Sequence, residues 1–377
     1  MANIVALSEF YAPGFAGGGT IVSLYRIIQE ERSHEIRVLT NDHDLGSQTT
    51  YPGIEHQQWN VVGRAQVGYL SMTLADWRWA AKQLRQHPPD AYYANSLQCP
   101  EYSLLPFLLR RLHLIPKALL IVAPRGECGA AAQAHKGLKK RLAKPLIRWL
   151  VGSNVVWHAS SEAEAEDIAR WYQRAFPRGD RLIVRGAPPP PPAAAISSGS
   201  GAPRPTVVFA SRIDHMKGLD IALEVMERVE GSCIFRVAGS VSDSDYWQRC
   251  LRLARKLPNH VEFEYVGPYR PEMTLEIMSS ADFLFLPTRG ENFGHAIAEG
   301  LSVGCPVITS RETIWTDVVN SGGGSAGTAH ENLRYLNVSL AQDPDTRLEL
   351  RRETLHAYSR WYSAHISHES FFTEALA

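Results

Sequence analysis

Two carboxylates stand with seven residues between them in Glu291-Asn292-Phe293-Gly294-His295-Ala296-Ile297-Ala298-Glu299, directly after the apolar run Phe283-Leu284-Phe285-Leu286. A carboxylate only accepts hydrogen bonds and suits adjacent hydroxyls such as those of a ribose or a hexose. The same stretch reads as a helix starting near Phe293 and Gly294, whose unpaired N–H groups and positive dipole end suit a phosphate. A second set follows Thr206-Val207-Val208-Phe209-Ala210: Ser211-Arg212-Ile213-Asp214-His215-Met216-Lys217-Gly218 places two cations five positions apart at a strand end. Arg212 and Lys217 could neutralise pyrophosphate oxygens that become a leaving group. The plain alternative is that Glu291 decorates a helix start, Glu299 is a solvated helix residue, and the two cations are surface charges. The specificity of the surrounding sequence favours the chemical reading.

The first half of the chain offers less. Gly17, Gly18 and Gly19 form a loop between the apolar run Asn3-Ile4-Val5-Ala6-Leu7 and a helical pattern of Ile21, Leu24, Ile27 and Ile28. With Gly14 in first place the third position is Ala16, so the loop is not a dinucleotide fingerprint, and no phosphate-loop motif occurs. Arg125 and Glu127, in Pro124-Arg125-Gly126-Glu127, end the strand Leu119-Leu120-Ile121-Val122-Ala123, where an active-site role and a structural salt bridge both remain open. Three D-x-D triplets, at Asp42, Asp243 and Asp343, lack the context of a metal site, and Asp243 reads as a helix start. No metal is expected, because Arg212 and Lys217 can supply its charge. Five scattered cysteines without a C-x-x-C pair suggest reduced, buried thiols.

Elements to position these residues can be read from the apolar runs. Strands are expected at 3–7, 35–40, 91–94, 119–123 and 154–159, then at 206–210, 234–239, 261–266, 283–286 and 306–309, with helical patterns between most of them. Helices in the second half are expected at 219–229, 243–256, 271–280 and 294–303. Alternating strands and helices make parallel sheets with helical crossovers the economical solution. Between the two series lies a proline-rich stretch followed by Ser197-Ser198-Gly199-Ser200-Gly201, which cannot build a core. The expected organisation is an α/β protein of two Rossmann-like, doubly wound parallel-sheet domains: 1–187, a linker at 188–205, and 206–352. In such sheets ligands bind at the carboxyl ends of strands, which is where every candidate residue falls.

Together these segments resemble the retaining GT-B glycosyltransferases of family 4, whose signatures are a carboxylate pair separated by seven residues and an upstream arginine and lysine. The likeness extends to Tyr246-Trp247, Val266-Gly267, Ala281-Asp282, Gly304-Cys305-Pro306-Val307-Ile308 and Thr313-Ile314-Trp315. In the first half it includes Pro124-Arg125-Gly126-Glu127 and His158-Ala159-Ser160-Ser161-Glu162 with Glu164-Ala165. The resemblance implies two domains facing across a cleft, with the C-terminal helix at 353–377 packing back on the first. It implies that Arg212 and Lys217 bind the diphosphate, that Glu299 binds the ribose, and that Glu291 with Asn292, Phe293 and Gly294 binds the donor sugar. Ser211, Glu127 and the loop Gly17, Gly18 and Gly19 complete the donor set, and Arg125 joins the catalytic set with Arg212, Lys217 and Glu291. Many members carry a histidine here near the donor, whereas this chain has Pro124-Arg125-Gly126-Glu127, as one subgroup does, and His135 nearby fills no motif position, so the identity of a base is open.

The implied activity is transfer of a sugar from a nucleotide-diphosphate sugar, UDP- or GDP-linked, to a glycan, lipid-linked or small-molecule acceptor. Retention of anomeric configuration and a role in bacterial-type surface polysaccharide or glycoconjugate synthesis go with it. A nucleotide-sugar epimerase and a non-catalytic binding protein on the same fold are the alternatives. Among 377 residues, 39 basic side chains balance 39 acidic ones, so charge gives no case for nucleic-acid binding. No stretch approaches the length and apolarity of a membrane span, and a cytoplasmic protein is expected. The basic amphipathic stretch 136–149 could hold it on the inner face of the cytoplasmic membrane or simply be a solvated face.

Overall fold

The structure, a computed structural model, describes residues 1–129, 137–172, 177, 179–197, 199, 201–270, 273–291, 293–365 and 369–377, with the side chains of 137–142 left aside. Asn292 and His135 therefore lie outside the described residues, as does Lys136 of the basic stretch. The chain divides into two compact units, Met1–Pro188 with Ser367–Ala377, and Pro189–Ile366.

The first unit carries an eight-stranded sheet built from β1 (Asn3–Leu7), β2 (Glu35–Asn41), β3 (Asn60–Val62), β4 (Ala65–Leu70), β5 (Ala91–Ala94), β6 (Leu119–Val122), β7 (Val155–Ala159) and β8 (Arg181–Val184). Their order is β3-β4-β2-β1-β5-β6-β7-β8. All pairings are parallel except β3 with β4, so the sheet is mixed at one edge and not wholly parallel as expected. β5, β6 and β7 are buried along nearly their whole length, which is why they appear in the sequence as continuous apolar runs. β3, β4 and β8 escaped the sequence reading: Gln66 and Gly68 interrupt β4, while β8 exposes Arg181 and Val184 and shows no clear period.

The second unit carries β9 (Thr206–Ala210), β10 (Cys233–Ala238), β11 (Val261–Gly267), β12 (Phe283–Leu286), β13 (Val307–Thr309) and β14 (Ser325–Ala326). All pairings among them are parallel, in the order β11-β10-β9-β12-β13-β14. Counted from β9, that is the 3-2-1-4-5-6 order of a doubly wound nucleotide-binding sheet, which reverses direction between β9 and β12. In the first unit the corresponding reversal falls between β1 and β5. The two α/β domains expected from sequence are present, each with its own buried apolar clusters.

Two details differ from expectation. The stretch 189–205 is not a loose tether, since Ala193 N donates to Ser302 O, Tyr358 Oη to Pro190 O and Arg351 Nε to Ser197 O, all within the second unit. Nor do residues 353–365 return to the first unit. The helix Pro344–His365 stays with the second unit because Thr354, Leu355, Ala357 and Tyr358 are buried there, and the return is made by Ser367–Ala377. There Phe371 and Phe372 pack edge-on against Tyr93, with ring centroids 5.9 and 5.5 Å away.

Candidate functional site

The second unit gathers its chemistry at the reversal between β9 and β12. After β9, the Asp214 carboxylate caps a single 3-10 turn, His215–Lys217, accepting from Met216 N at 2.9 Å and Lys217 N at 3.2 Å. Gly218 ends this turn at φ 75°, and a Cβ there would stand 2.2 Å from Pro287 O. Only glycine fits so close an approach at a positive φ. The β9 loop is thereby pressed against the β12 loop, where Arg289 N and Thr288 Oγ1 donate to Met216 O at 2.8 and 3.0 Å.

The result is a contact that sequence spacing did not reveal: Lys217 Nζ lies 2.6 Å from Glu291 Oε1, both side chains largely shielded from water. Arg212, on the same loop, is more open to solvent and lies 3.4 Å from Asp214 Oδ2. Beyond Glu291 the backbone turns at Gly294, φ 77°, into the helix His295–Ser302. Trp315, fully buried, fixes this turn by donating from Nε1 to Phe293 O and by packing its ring 5.4 Å from that of Phe293. The helix start leaves backbone N–H groups for a ligand to use. Glu299 lies about one turn further along the same helix and is buried. Burial, and after it the Glu299 charge, push the Tyr269 hydroxyl up. Ser211 follows β9 and spends its N–H on Ala238 O.

Behind this pair stands a network that the sequence reading missed. Arg289 grips Asp220 with two hydrogen bonds of 2.9 Å and also donates to His215 O at 2.6 Å. Tyr246 Oη donates to the same carboxylate at 2.7 Å. Burial pushes the Asp220 carboxyl up, but the hydrogen bonds from Arg289 and Tyr246 prevail and hold it below its ordinary range. A bidentate, buried pair of this kind fixes geometry as well as charge. Its sequence signal is a buried-side aspartate in the first turn of a mostly apolar helix, Leu219–Met226.

In the first unit the candidates gather at the reversal between β1 and β5. Gly18 precedes the helix Gly19–Glu30, and Asp44 braces the approach by accepting from Phe15 N at 2.8 Å and Ala16 N at 3.0 Å. Asn95, one residue beyond β5 and absent from the sequence reading, ties three segments together. Its amide donates to Ser8 Oγ and to Thr20 O, each at 3.2 Å, and its oxygen accepts from Arg125 Nε at 2.8 Å. Arg125 is thus linked to the glycine loop's helix through one side chain. Its φ of 54° is unusual for a residue with a Cβ, and such conformations cluster at functional sites because the surroundings must hold them. Two carboxylates do so. Glu164 accepts from Gly126 N at 2.6 Å, and Glu127 accepts from Ser96 Oγ, Leu97 N and Gln98 N at 2.7 to 2.9 Å. Glu127 therefore anchors a loop with both oxygens.

Among the described residues, no group of three or more His, Cys, Asp or Glu side chains could hold a metal ion. The D-x-D triplets have local duties: Asp243 and Asp343 cap helices, accepting from Tyr246 N and Thr346 N, both at 2.9 Å, while Asp42 accepts from Ser71 Oγ at 2.7 Å. A cavity of about 580 Å³ lies beside β14, two strands from β12, and none of the candidate residues lines it. No helix among the described residues is long and apolar enough to cross a membrane.

Residues 17–185 match the family described as glycosyl transferase 4-like domain, and residues 195–334 match glycosyl transferases group 1. Glycogen synthase of Desulfitobacterium hafniense is 25% identical over 170 residues, which cover 42% of this chain and 36% of that enzyme's length. Solved structures share the fold at lower identity. WaaG, a glycosyltransferase involved in lipopolysaccharide biosynthesis, aligns at TM-score 0.63 and 16% identity over 99% of this chain and 98% of its own. Anabaena Alr3699/HepE, in complex with UDP and glucose, aligns at 0.66 and 16% over 98% and 96%. Sucrose-phosphate synthase from Thermosynechococcus elongatus aligns at 0.70 and 14% over 96% and 95%.

Proposed function

The chain belongs to the group 1 glycosyltransferases of the GT-B type, and from that premise we propose a retaining, metal-independent transfer from a nucleotide-diphosphate sugar, of the family 4 kind. The observation that carries the reading is the Lys217–Glu291 contact of 2.6 Å at the reversal of a nucleotide-binding sheet. A cation already paired with a carboxylate is held still, so it can meet a diphosphate without reorganising as charge develops.

In this mechanism Arg212 and Lys217 face the diphosphate, Glu291 and the backbone at Gly294 hold the donor sugar, and Glu299 accepts from the ribose hydroxyls. Asn292 and Phe293 complete the donor loop. The bond from the anomeric carbon to the phosphate oxygen breaks through an oxocarbenium-like transition state. The acceptor oxygen bonds to the same face, and its proton passes to the departing phosphate. The protein supplies positioning and electrostatics, and neither glutamate is a nucleophile. Arg125 is assigned to the catalytic set with the glycine loop Gly17 to Gly19 beside it, while Glu127 acts by holding its loop.

Loss of Arg212 or Lys217 should slow transfer by roughly 10²- to 10³-fold, as for a lost oxyanion donor. Thermal-shift titration against UDP-, GDP- and dTDP-sugars identifies the donor, because a bound donor raises the melting temperature by mass action. The UDP-bound fold relative favours UDP-sugars. Lys217→Ala and Glu291→Ala both turning over at the wild-type rate would overturn the site, and NMR of the product showing inversion would overturn the mechanism. Incubating the donor alone and finding an epimer would replace transfer with epimerisation.

A lipid-linked acceptor in surface polysaccharide synthesis is the acceptor reading we favour. Leu112, Leu114, Leu146 and Trp149 are exposed beside Arg111, whose guanidinium lies 4.6 Å from the Trp149 ring. Exposed apolar side chains among cations suit an anionic membrane surface. Flotation with vesicles containing anionic lipid should bring up the wild-type protein and not Trp149→Glu with Leu146→Glu. Equal flotation of the two proteins would remove the membrane contact.

A further inference from the structure

We infer that Tyr93 and His158 are positioning residues for Arg125, acting as a buried relay that sets the orientation of its guanidinium. The inference rests on the assignment of Arg125 to the catalytic set. Tyr93 lies on β5 and His158 on β7, with β6 between them in the sheet, and Arg125 follows the end of β6. The Tyr93 hydroxyl spans this gap, 2.7 Å from Arg125 Nη2 and 2.8 Å from His158 Nδ1.

With His158 neutral, as burial beside Arg125 and Arg185 favours, the proton count has one solution. Arg125 can only donate, so the Tyr93 oxygen accepts there and spends its single proton on His158 Nδ1. His158 Nε2 lies 2.7 Å from Arg185 O, which can only accept, so that nitrogen carries the ring proton. The histidine is neutral, its tautomer is fixed, and both its nitrogens are satisfied. Burial first, and then the Arg125 and Arg185 charges, hold it well below the ordinary histidine range. The other side of the ring is covered by Phe371, stacked at 4.0 Å and 26°. Tyr93 and His158 are each 1% exposed or less.

A polar pair placed this deep costs desolvation that apolar side chains would avoid. Its observable product is orientation. Asn95 fixes Nε and Tyr93 fixes Nη2, so the guanidinium plane is set by two acceptors while Nη1 has no partner among the described residues. The returning helix Phe371–Leu376 is thereby coupled to Arg125 through two rings.

The test is a double-mutant cycle on the full-length enzyme, with nucleoside diphosphate release followed using the donor found by thermal shift. Tyr93→Phe should lower kcat about tenfold or more with little change in donor KM, since small misplacements of a catalytic group are costly. In an Arg125→Ala background the same change should cost less than twofold, because the group it positions is gone. An equal loss in both backgrounds would make Tyr93 a plain structural residue and overturn the proposal, as would an unchanged kcat in Tyr93→Phe. Arg125→Ala at wild-type turnover would remove Arg125 from the site and the relay with it. Should Tyr93→Phe not fold, histidine-selective ¹⁵N NMR of the wild type decides: one neutral Nε2–H ring that stays neutral below pH 6 is expected. His158 found charged, or with its proton on Nδ1, would overturn the relay.

Discussion

Replacing Gly218 with alanine is the sharpest probe of how the second unit's site is held. The added Cβ would stand 2.2 Å from Pro287 O, whereas ordinary contact begins near 3.4 Å, so the β9 and β12 loops must part by about an ångström. The residue would also hold φ 75°, which costs a side-chain-bearing residue about 1–2 kcal/mol. Parting the loops strains the hydrogen bonds from Arg289 N and Thr288 Oγ1 to Met216 O, at 2.8 and 3.0 Å, each worth about 1 kcal/mol. A total destabilisation of about 2–4 kcal/mol follows. The same displacement separates Lys217 from Glu291, and a misplacement of that size can cost about a hundredfold in rate. Urea unfolding monitored by fluorescence reads the first quantity, and kcat/KM for nucleoside diphosphate release reads the second. Gly218→Ala with wild-type stability and wild-type kcat/KM would refute the claim that close approach of these two loops assembles the site. A stability loss with full activity would refute only its catalytic half.

Further outcomes follow from the same geometry. Asp220→Asn removes the charge that Arg289 grips, and should destabilise by about 2–4 kcal/mol in urea while lowering kcat, because Arg289 also holds His215 O. Wild-type stability in that variant would dismiss the network. In the wild-type protein the Asp220 contribution is present above the ordinary carboxylate range and is lost as pH falls through its depressed folded value, so Asp220→Asn should show a flatter acid limb. His158 has the opposite charge type and the same direction of effect: its folded value is depressed, so the unfolded chain takes up the proton first. Stability is then lost as pH falls below about 6.5, by at most about 1.4 kcal/mol per pH unit. His158→Gln should remove that slope in unfolding measured between pH 7 and 5. Glu127→Gln should cost about 1–3 kcal/mol by weakening its hold on the loop 96–98, with donor affinity unchanged in calorimetric titration. A selective loss of donor binding instead would return Glu127 to the ligand set.

The sequence determined the fold class and the neighbourhood of the site. Buried parallel strands must be apolar along their length, so β5, β6, β9 and β12 announce themselves as short runs, and the loops after them are where ligands bind. Arg212, Lys217 and Glu291 stood out as candidates because each closely follows such a run, and Glu299 because it lies on the helix that comes next. The edge elements were not legible, because β3, β8 and β14 are short and partly exposed, and their period is set by neighbours distant in the chain. Partner identity was likewise hidden. Lys217 meets Glu291 across 74 positions, and Tyr93 meets His158 across 65. No local spacing encodes those distances, because strand order, and not chain order, decides which loops touch. Glu127 shows the same limit from the other side. Its type and place fit a ligand, and only the fold shows that its oxygens also accept from the backbone N–H groups and the hydroxyl of the loop 96–98, which tertiary packing brings within 3 Å.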